Sequence, residues 1–578
     1  MRPILPLALL LCLAAAVGPS VGPVAAGNRT ANPAGAFVDS RTTNSTGAFL
    51  DTQTANPTGA FLDTQTANST DASAGGAAGV RVVAAYPNPA ADGDRGEFVV
   101  LAVPPAANLS GATLSDGETT VALDGVEARG RVALAADPAA ANVTNATVVG
   151  APDLALANGG ERLVLRAGGT VRDRAVYRDA PTGEVATWNG TRVRWRPLGA
   201  TDRPVIRATG GTIRAFVLPD DPGPAVAPIR DADDRVLLAG YTLTSERVAD
   251  ALANASRRGA RVRVLLEGGP IGGLSRREAR LLDRLVTAGV EVRLIGGPLA
   301  RYDYHHAKYL VADDRAVVLT ENWKPAGVGG ADSRGWGVVT NQSAIVDGLT
   351  ATFRADAGWR DAIPWRRFRR GRSFERRGQA TGSFPTRTAA QRVPVDRTEL
   401  LVAPDNAGDR LVALLDGAEE SVDVEQMSLQ WDGSLARALR RAAARGVAVR
   451  ILLSDAWYVR EDNQRVAAQF RQWADEHDAP LQVRLADPAG RYGKIHAKGA
   501  IVDDRAVVLG SLNWNDPAAT SNREVVLVLH GARVGDYYGS VFAGDWRGGH
   551  RGLPAGLAIA AGGVLLVAAL VARRIEFD

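Results

Sequence analysis

Apolar and polar positions alternate in two different ways between residues 201 and 358. Short apolar runs indicate buried strands, and segments with apolar residues every three or four positions indicate amphipathic helices. Strands are predicted at residues 235–241, 261–266 and 290–295, and helices at residues 245–258 and 275–288. Strands alternating with helices in this way are typical of an α/β domain with helices on both faces of a sheet.

The same order of elements returns between residues 398 and 548. Strands are predicted at residues 421–427, 448–453 and 481–485, and helices at residues 434–445 and 466–477. Residues 259–266 read Gly-Ala-Arg-Val-Arg-Val-Leu-Leu, and residues 446–453 read Gly-Val-Ala-Val-Arg-Ile-Leu-Leu. The pattern therefore predicts two duplicated α/β domains, at residues 201–358 and 398–548.

Residues 80–200 carry short β-rich runs that are separated by Gly, Pro, Asn and Asp. The runs lie at residues 80–86, 96–103, 119–123, 131–135, 162–166 and 171–177. This spacing predicts a small all-β sandwich. The region has no cluster of His, Cys or paired acidic residues, so we expect a binding or spacing module rather than a catalytic domain.

Both ends of the chain are apolar. Residues 1–26 combine a charge, an apolar run and small residues before a candidate cleavage point, which predicts a secretory signal peptide, with an uncleaved membrane anchor as the alternative. Residues 553–572 contain no charged side chain and are long enough to span a bilayer, which predicts a transmembrane helix, with a buried helix as the alternative. We therefore expect a single-pass protein of the cell membrane, extracellular except for residues 573–578 in the cytoplasm.

Two further segments lack the pattern of a folded domain. Residues 27–79 contain 12-residue repeats with too few apolar positions to bury a core, which predicts disorder. Residues 359–397 are predicted to form an Arg-rich linker with aromatic residues between the arginines. Such a linker can bind polyanions, either nucleic-acid phosphates or an anionic membrane, or it can be a solvated connector.

Composition narrows the chemistry without selecting a substrate. The net charge of +4 is small for 578 residues and does not by itself indicate a nucleic-acid or membrane surface. The one cysteine, Cys12, lies in the predicted signal peptide, so disulfides, a Cys-ligated zinc site and a cysteine nucleophile are excluded from the mature chain. Candidate glycosylation sequons, which suit an exported glycoprotein, begin at Asn28, Asn44, Asn68, Asn108, Asn142, Asn145, Asn189, Asn254 and Asn341.

A His-x-Lys-x-x-x-x-Asp motif occurs once in each α/β domain: His306, Lys308 and Asp313 in the first, and His496, Lys498 and Asp503 in the second. Residues two apart in a strand face the same side, so each His points together with its Lys. Each Asp is expected to hold the turn after the strand and to orient its neighbours. Candidate ligands of phosphate oxygens follow the return strand: Thr320, Asn322, Ser511 and Asn513.

Lysine is rare in this chain and is retained inside the motif. Only four lysines occur among the 67 Lys and Arg residues: Lys308, Lys324, Lys494 and Lys498. A lysine kept where arginine is the norm indicates a site that needs a compact ammonium rather than a planar guanidinium. Two matched motifs therefore predict a functional pair, and the alternative is an old duplication whose histidines serve only packing.

These residues resemble the phospholipase D superfamily, whose signature is His-x-Lys-x4-Asp, often followed after six residues by Gly-Ser-x-Asn. The second copy matches throughout, including Gly510, Ser511 and Asn513. The first lacks the Gly-Ser pair, but Thr320 and Asn322 match Ser511 and Asn513 after a deletion of one residue. The resemblance covers about residues 201–545.

The resemblance implies one active site at the interface of the two α/β domains. It implies metal-independent, cofactor-free phosphodiester chemistry, in which His306 attacks phosphorus to give a phosphohistidine and His496 protonates the leaving oxygen. Both half-sites lie in one chain, so we expect a monomer.

The resemblance also implies an acidic residue after the motif that orients a histidine. Glu524 matches this position in the second half, whereas the aligned region of the first half has Trp336, with Asp332 nearby. His305 is expected to face the opposite side of the strand from His306.

Residues 80–200 resemble lamin-tail domains, a family of immunoglobulin-like sandwiches. The matching pieces are residues 86–89, 95–101, 109–117 and 160–165. Together the two resemblances predict an all-β immunoglobulin-like sandwich followed by two phospholipase D-like α/β domains and a C-terminal transmembrane helix.

Three functions are compatible with the sequence. The first is a membrane-anchored, outward-facing phosphodiesterase that hydrolyses phospholipid or exchanges its head group. The second is a surface-tethered nuclease, which the Arg-rich linker favours. The third is a non-catalytic surface binding protein, against which the paired lysines and histidines argue.

Overall fold

The computed structural model describes residues 79–548, except for residues 92 and 191. The predicted signal peptide, the predicted repeats up to residue 78, the predicted transmembrane helix at residues 553–572 and the predicted cytoplasmic tail lie outside the described residues. Among the described helices, none combines the length and the apolar character needed to cross a bilayer.

The described part of the chain begins with two β-sheets. Their strands are β1 (Arg81–Tyr86), β2 (Phe98–Val103), β3 (Thr113–Ser115), β4 (Thr120–Ala122), β5 (Gly130–Ala135), β6 (Thr147–Gly150), β7 (Gly160–Ala167), β8 (Thr170–Arg178), β9 (Glu184–Asn189) and β10 (Arg192–Pro197). The strand orders are β10-β9-β1-β2-β5-β6 and β4-β3-β7-β8. Leu101 and Leu134 of one sheet share a buried core with Leu163 and Leu165 of the other. The lamin-tail assignment of this region stays a prediction.

Two α/β halves follow. The first contains β11 (Ile206–Thr209), β12 (Thr212–Leu218), α1 (Ala227–Asp231), β13 (Arg235–Gly240), α2 (Glu246–Arg258), β14 (Arg261–Glu267), α3 (Arg276–Thr287), β15 (Glu291–Ile295), β16 (Tyr309–Ala312), β17 (Arg315–Leu319), β18 (Ser333–Thr340), α4 (Ser343–Ala357), β19 (Ala362–Pro364), α5 (Trp365–Phe368) and β20 (Gln391–Pro394). The second contains β21 (Arg397–Ala403), α6 (Ala407–Asp416), β22 (Ser421–Gln426), α7 (Ser434–Ala444), β23 (Ala448–Leu453), α8 (Arg460–His477), β24 (Leu481–Leu485), β25 (Lys494–Ile495), β26 (Lys498–Val502), β27 (Ala506–Gly510), α9 (Asp516–Thr520), β28 (Glu524–His530) and α10 (Ala532–Arg547).

Each α/β half is built on one sheet. Among the described strands, the first sheet has the order β19-β15-β14-β13-β16-β17-β18-β12-β20, with β25 beside β18, and the second has the order β11-β21-β28-β27-β26-β22-β23-β24. In both, three parallel strands are followed by an antiparallel strand that directly continues the His-x-Lys segment. The matching order confirms the predicted duplication of whole α/β domains.

The two halves exchange strands and share a core. β11 of the first half pairs with β21 in the second sheet, and β25 of the second half pairs with β18 in the first sheet. β20, which directly precedes the second half in the chain, pairs with β12 in the first sheet. One buried cluster contains Trp336 and Val338 of the first half together with Ile495 and Leu527 of the second. Because burying this apolar surface stabilises both sheets at once, the His-x-Lys segments are held in a fixed relation to each other.

The segment predicted to be a linker at residues 359–397 is largely part of the first half. β19 pairs with β15, and Trp365 and Phe368 of α5 are buried in the core of that half, with Phe374 packed against it. These three aromatic side chains of the predicted linker are therefore packed in or against the core of the first half, because burial of apolar surface is favourable. Between residues 366 and 377 the exposed arginines are Arg366, Arg367, Arg369, Arg370, Arg372, Arg376 and Arg377.

Candidate active site between the two α/β halves

The two histidines of the repeated motif are each fixed by the opposite half. The backbone amide of His306 donates to the carbonyl oxygen of Arg523 at 2.9 Å, and the amide of His496 donates to that of Arg334 at 3.0 Å. His306 is 9% exposed, and the side chain of His496 is 14% exposed. Both imidazoles are thus largely buried, and each depends on the other half for its position.

Glu524 orients His306. Its carboxylate oxygens lie 2.9 and 3.1 Å from Nδ1 of His306, and the side-chain amide of Asn522 donates to Oε1 at 3.1 Å. Glu524 begins β28 in the second half, whereas His306 belongs to the first. The acidic residue predicted to orient a histidine therefore acts across the interface.

His496 has a carboxylate partner that the sequence reasoning missed. Oε2 of Glu321 lies 3.2 Å from Nδ1 of His496. The two positions suggested by alignment have other roles, because Trp336 is fully buried in the shared core and Asp332 pairs with Lys494 at 2.9 Å. Glu321 aligns with Leu512 of the second copy. An acidic residue at a position that is apolar in the other copy is the sequence feature that could have identified it.

A glycine makes room for Glu321. Thr320 bonds to the amide of Trp336 as Ser511 bonds to that of Val525, so Gly335 occupies the position of Glu524. Any side chain at Gly335 would collide with Glu321. In the first half the carboxylate thus comes from the preceding loop and fills the space above Gly335.

The hydroxyl groups proposed as phosphate ligands bind the backbone instead. Oγ1 of Thr320 accepts from the amide of Trp336 at 2.9 Å, and Oγ of Ser511 accepts from the amide of Val525 at 3.0 Å. Both residues are fully buried. Thr320 and Ser511 therefore lock each loop to the neighbouring strand, which corrects the prediction that they bind substrate.

Asn322 and Asn513 remain candidate ligands of phosphate. The side-chain oxygen of each has no hydrogen-bond partner among the described residues. Each directly precedes a buried tryptophan, Trp323 or Trp514, which fixes the loop. An amide with an unpaired oxygen can turn its N–H groups toward an anion.

Asp313 and Asp503 hold turns at the far end of the motif strands. Both have a positive φ of 50°. The carboxylate of Asp313 accepts from the amides of Asp233, Asp234 and Arg235, at 2.8–3.1 Å. Asp503 accepts in the same way from the amides of residues 419–421. Each aspartate thus fixes the start of the parallel strand beside the motif, as its predicted structural role requires.

The two motif lysines are buried beside the histidines. Nζ of Lys308 donates to the carbonyl oxygen of His306, and Nζ of Lys498 to that of His496, both at 2.7 Å. Lys308 also lies 5.6 Å from the ring centroid of Tyr241, whose ring lies 4.8 Å from that of His306. Burial lowers the pKa of Lys498 to about 8 and that of Lys308 well below its usual range.

The two His–Glu pairs differ in protonation. Burial lowers the pKa of His306 to about 4, although Glu524 opposes the shift, and the pKa of Glu524 falls because His306 and Lys308 outweigh its burial. Burial and then Lys498 lower the pKa of His496 well below 6.5, whereas burial raises the pKa of Glu321 to about 8. At neutral pH, Glu524 is therefore ionised and Glu321 is protonated.

His305 belongs to a buried structural network. It is 1% exposed, and its Nε2 lies 3.6 Å from Oδ2 of Asp356 rather than toward the other histidines. Asp356 also accepts from Arg523 at 2.9 Å, and Arg523 contacts Asp405 at 3.5 Å. In the matching position Arg334 pairs with Asp220 and Asp545. Arg523 and Arg334 also supply the backbone carbonyl groups that bind the amides of His306 and His496.

Within the described residues, no group of three or more His, Cys, Asp or Glu side chains is arranged to hold a metal ion.

Both α/β halves resemble known proteins. Residues 226–357 and 411–546 match the family model described as "Cardiolipin synthase, PLD-like domain". The chain is 32% identical over 143 residues to "Mitochondrial cardiolipin hydrolase" of Xenopus tropicalis, which covers 25% of this chain and 62% of that protein. It is 29% identical over 124 residues to "Phospholipase D" of Rickettsia conorii, which covers 22% of this chain and 56% of that protein. The chain thus spans less than two thirds of the length of these relatives.

One solved structure shares a larger part of the chain. The phosphatidylserine synthase of Haemophilus influenzae superposes with a TM-score of 0.44 at 15% sequence identity, covering 58% of this chain and 86% of that one.

Proposed function

Because residues 226–357 and 411–546 are phospholipase D-like domains, we propose that this chain is a phosphodiesterase that works through a phosphohistidine. One observation carries the proposal. Two buried histidines from opposite halves are each paired with a carboxylate from the other half, and each has a buried lysine beside it. This arrangement supplies a nucleophile, a proton donor and fixed positive charge around one phosphate.

His306 is the proposed nucleophile. The ionised carboxylate of Glu524 binds its Nδ1–H, so the lone pair lies on Nε2. In the first step the bond between Nε2 and phosphorus forms, and the bond from phosphorus to the leaving oxygen breaks. The lowered pKa of His306, about 4, keeps the imidazole neutral and nucleophilic at pH 7.

His496 is the proposed general acid. Its Nε2–H protonates the leaving oxygen, and the proton of Glu321 moves to Nδ1. In the second step Nε2 of His496 takes a proton from water as the water oxygen attacks phosphorus, the phosphorus–nitrogen bond breaks and the proton on Nδ1 returns to Glu321. An alcohol in place of water gives head-group transfer.

Lysine and asparagine side chains surround the proposed phosphate position. The ammonium groups of Lys308 and Lys498 balance the charge that develops on phosphorus-bound oxygens, and Asn322 and Asn513 are the proposed N–H donors. These groups need no reorganisation during the reaction, because burial and backbone hydrogen bonds already hold the lysines in place.

Phospholipid is the proposed substrate. Large apolar side chains are exposed near the site: Ile271 is 76% exposed, Trp457 84% and Tyr458 41%. The amide of Ile271 donates to the hydroxyl of Tyr241, and the ring of Tyr458 lies 5.5 Å from Nζ of Lys494, two residues before His496. An aromatic and aliphatic rim around a site favours contact with a lipid surface. The names of the similar proteins, cardiolipin hydrolase and phospholipase D, support the same class of substrate.

The proposed location is the outer face of the cell membrane. It rests on the sequence of residues 1–26 and 553–572, which predicts export followed by anchoring. An anchored enzyme works beside its lipid substrate, so the location and the proposed substrate agree.

A nuclease is the second candidate. The exposed arginines between residues 366 and 377 favour it, because a strip of guanidinium groups can follow a phosphate backbone. The neighbouring aromatic rings are packed into the fold. The arginines therefore offer positive charge to a nucleic acid, but these rings are not available to stack on its bases.

The test uses the full-length protein purified in detergent, with EDTA present to examine metal independence. The substrates are bis(p-nitrophenyl) phosphate, labelled phospholipid vesicles, and single- and double-stranded DNA, each with wild type, His306→Ala and His496→Ala. We expect cleavage of the first two by wild type and loss with both variants. A trapped phosphohistidine should appear in wild type and be absent from His306→Ala.

Each other outcome has a definite meaning. Variants that cut as well as wild type would refute the two-histidine mechanism. Cleavage of DNA without cleavage of lipid would refute the lipid substrate, and binding of lipid or DNA without any cleavage would identify a non-catalytic binding protein.

A further inference from the structure

A cavity of about 230 Å³ opens beside the two catalytic histidines. Tyr241 belongs to both places, because it lines the cavity and its ring lies 4.8 Å from that of His306. Another part of the wall is Lys494, two residues before His496 in an extended segment and hence on the same side of the backbone. The cavity therefore adjoins the proposed position of the scissile phosphate.

The two lysines outside the repeated motif both line this cavity. With Lys308 and Lys498 they complete the set of four lysines in the chain. Every lysine thus lies at or beside the proposed active site, in a protein that uses arginine elsewhere. Lys324 and Lys494 therefore meet the same criterion as the motif lysines, namely a compact ammonium kept where the site requires one.

Lys324 has no counterion in direct contact. Its ammonium makes no hydrogen bond or ion pair within the described residues, and burial lowers its pKa, an effect that Glu278 opposes and Arg377 strengthens. Glu278 lines the same cavity and accepts from the amide of Leu243 at 2.6 Å, and burial raises its pKa to about 7, although Lys324 and Arg377 oppose the shift. The other acidic residue of the wall, Asp332, is paired with Lys494. Lys324, Lys494 and Arg377 thus outnumber the two acidic residues of the wall, which leaves an excess of cationic side chains in the cavity.

Two buried hydroxyl groups of the cavity wall also lack a hydrogen-bond partner among the described residues. Oγ1 of Thr242 and Oγ1 of Thr244 have no hydrogen bond among the described residues, and both residues line the cavity. Buried polar atoms are normally paired, so two orphans beside two cations indicate a missing polar ligand. Arg377 completes the group by passing over Gly272, where a side chain would collide with the guanidinium.

We infer that this cavity binds a second phosphate group of the substrate, through Lys324, Lys494, Arg377 and the two threonine hydroxyls. The inference rests on the proposed function, since the first phosphate is the one attacked by His306. The substrate class is a phosphodiester that carries another phosphate nearby. Since phospholipid is the proposed substrate, this is a lipid with two phosphates. A nucleic-acid strand with successive phosphates has the same chemistry and is distinguished by the test.

The test compares substrates that differ by one phosphate. The lipid pair is diphosphatidylglycerol against phosphatidylglycerol in otherwise identical vesicles, and the nucleotide pair is TpTpT against TpT. For each pair, kcat/KM for the substrate with the additional phosphate is divided by kcat/KM for the other substrate. This ratio is measured with wild type, Lys324→Met and Lys494→Met. Arg465→Met is the matched control, because it removes one positive charge from a side chain that is 75% exposed and outside the cavity.

Both lysine variants should lower the ratio for one pair by about tenfold or more, since a charge-assisted hydrogen bond to phosphate is lost. The pair affected identifies lipid or nucleic acid as the source of the second phosphate. Arg465→Met should leave both ratios within about twofold of wild type. Unchanged ratios in both lysine variants, or an equal fall with Arg465→Met, would overturn the inference.

Two further measurements distinguish a failure of this inference from misfolding of a variant and from failure of the proposed function. Melting temperatures identify a variant that fails to fold, in which case the other lysine variant decides. If wild type cleaves no substrate, the proposed function fails, and the second site is then judged by co-sedimentation with the two kinds of vesicle. Preferential binding to diphosphatidylglycerol that Lys324→Met abolishes would support the site, and equal binding to both vesicles would refute it.

Discussion

Nδ1 of His496 lies 3.2 Å from Oε2 of Glu321, although the two residues belong to different α/β halves. The reciprocal pair joins His306 of the first half to Glu524 of the second, with 2.9 Å between Nδ1 and Oε1. Each half therefore supplies the histidine of one pair and the carboxylate of the other. Neither half contains both members of a His–Glu pair, so the proposed chemistry depends on the contact between the halves.

Glu321→Gln should change the pH dependence of catalysis. The raised pKa of Glu321, about 8, means that the carboxyl group is protonated below pH 8 and loses its proton above it. Wild type should therefore lose kcat/KM above about pH 8, because the proposed proton donor is lost. On the acidic side, the rate should fall as the pH approaches about 4, where His306 becomes protonated.

The measurement is the pH–rate profile on bis(p-nitrophenyl) phosphate. Glu321→Gln should lower kcat by about 10²–10⁴ and flatten the alkaline limb. Lys498 also has a pKa near 8, so an alkaline limb that persists in Glu321→Gln would assign the limb to that lysine instead. Glu524→Gln is the comparison, and it should lower the rate without removing the alkaline limb.

Lys308→Arg should inactivate the enzyme even though the charge is retained. Lys308 is fully buried, and its Nζ donates to the carbonyl oxygen of His306 at 2.7 Å. A planar guanidinium is larger and cannot occupy the same space without moving His306. We expect kcat to fall by about 10²–10³, as for loss of a fixed group that stabilises the transition state.

The rate of Lys308→Arg is compared with that of Lys308→Met, and melting temperatures monitor folding. Arg465→Lys, an exchange at an exposed position, should leave kcat unchanged. If Lys308→Arg keeps half of the wild-type rate, charge alone is sufficient at this position.

Arg523→Met should destabilise the fold. The guanidinium is fully buried and contacts Asp356 at 2.9 Å and Asp405 at 3.5 Å. Removing it leaves two buried carboxylates without their cation, which should lower the free energy of unfolding by about 3–5 kcal/mol. Urea unfolding measures the change, and Arg465→Met should stay within about 0.5 kcal/mol of wild type. A loss for Arg523→Met no larger than that of the control would show that the network adds little stability.

Gly335→Ala should impair His496 through Glu321. The added methyl group collides with the side chain of Glu321, which must then move away from Nδ1 of His496. A displacement of this kind should lower kcat/KM by about 10–100-fold. The control is Gly539→Ala in α10, where the added methyl group meets no atom within 4 Å apart from the backbone of its own helix. Combining Gly335→Ala with Glu321→Gln should add little to the effect of Glu321→Gln alone, and additive losses would contradict this route.

Periodicity was sufficient to predict most elements of the α/β halves. The strands at 448–453 and 481–485 have the predicted bounds, and the strand predicted at 235–241 ends one residue earlier, at Gly240. These elements are decided locally, because a buried strand or amphipathic helix must show its apolar face in its own sequence. The linker prediction was wrong because arginines surround Trp365 and Phe368 in the sequence. These two rings are buried, but no apolar pattern in their own segment indicates it.

The site was predictable only as far as its motif. His306, Lys308, His496 and Lys498 lie together at the interface. Glu321 was missed because the carboxylate of the other pair, Glu524, lies on a strand, whereas Glu321 lies in a loop at a different position of the repeat. The roles of Thr320 and Ser511 depend on which backbone amides face them across a sheet. Such pairings join residues far apart in the chain, so no local pattern reports them.

The exchanged strands also determine how the protein can be divided. A cut in the exposed segment near residue 380 would leave β11 on one fragment and its partner β21 on the other, and would separate β12 from β20 in the same way. Each fragment would carry an edge strand that completes the sheet of the other. Two separately made polypeptides would thus have complementary ends, and activity restored on mixing them would act as a reporter of reassembly.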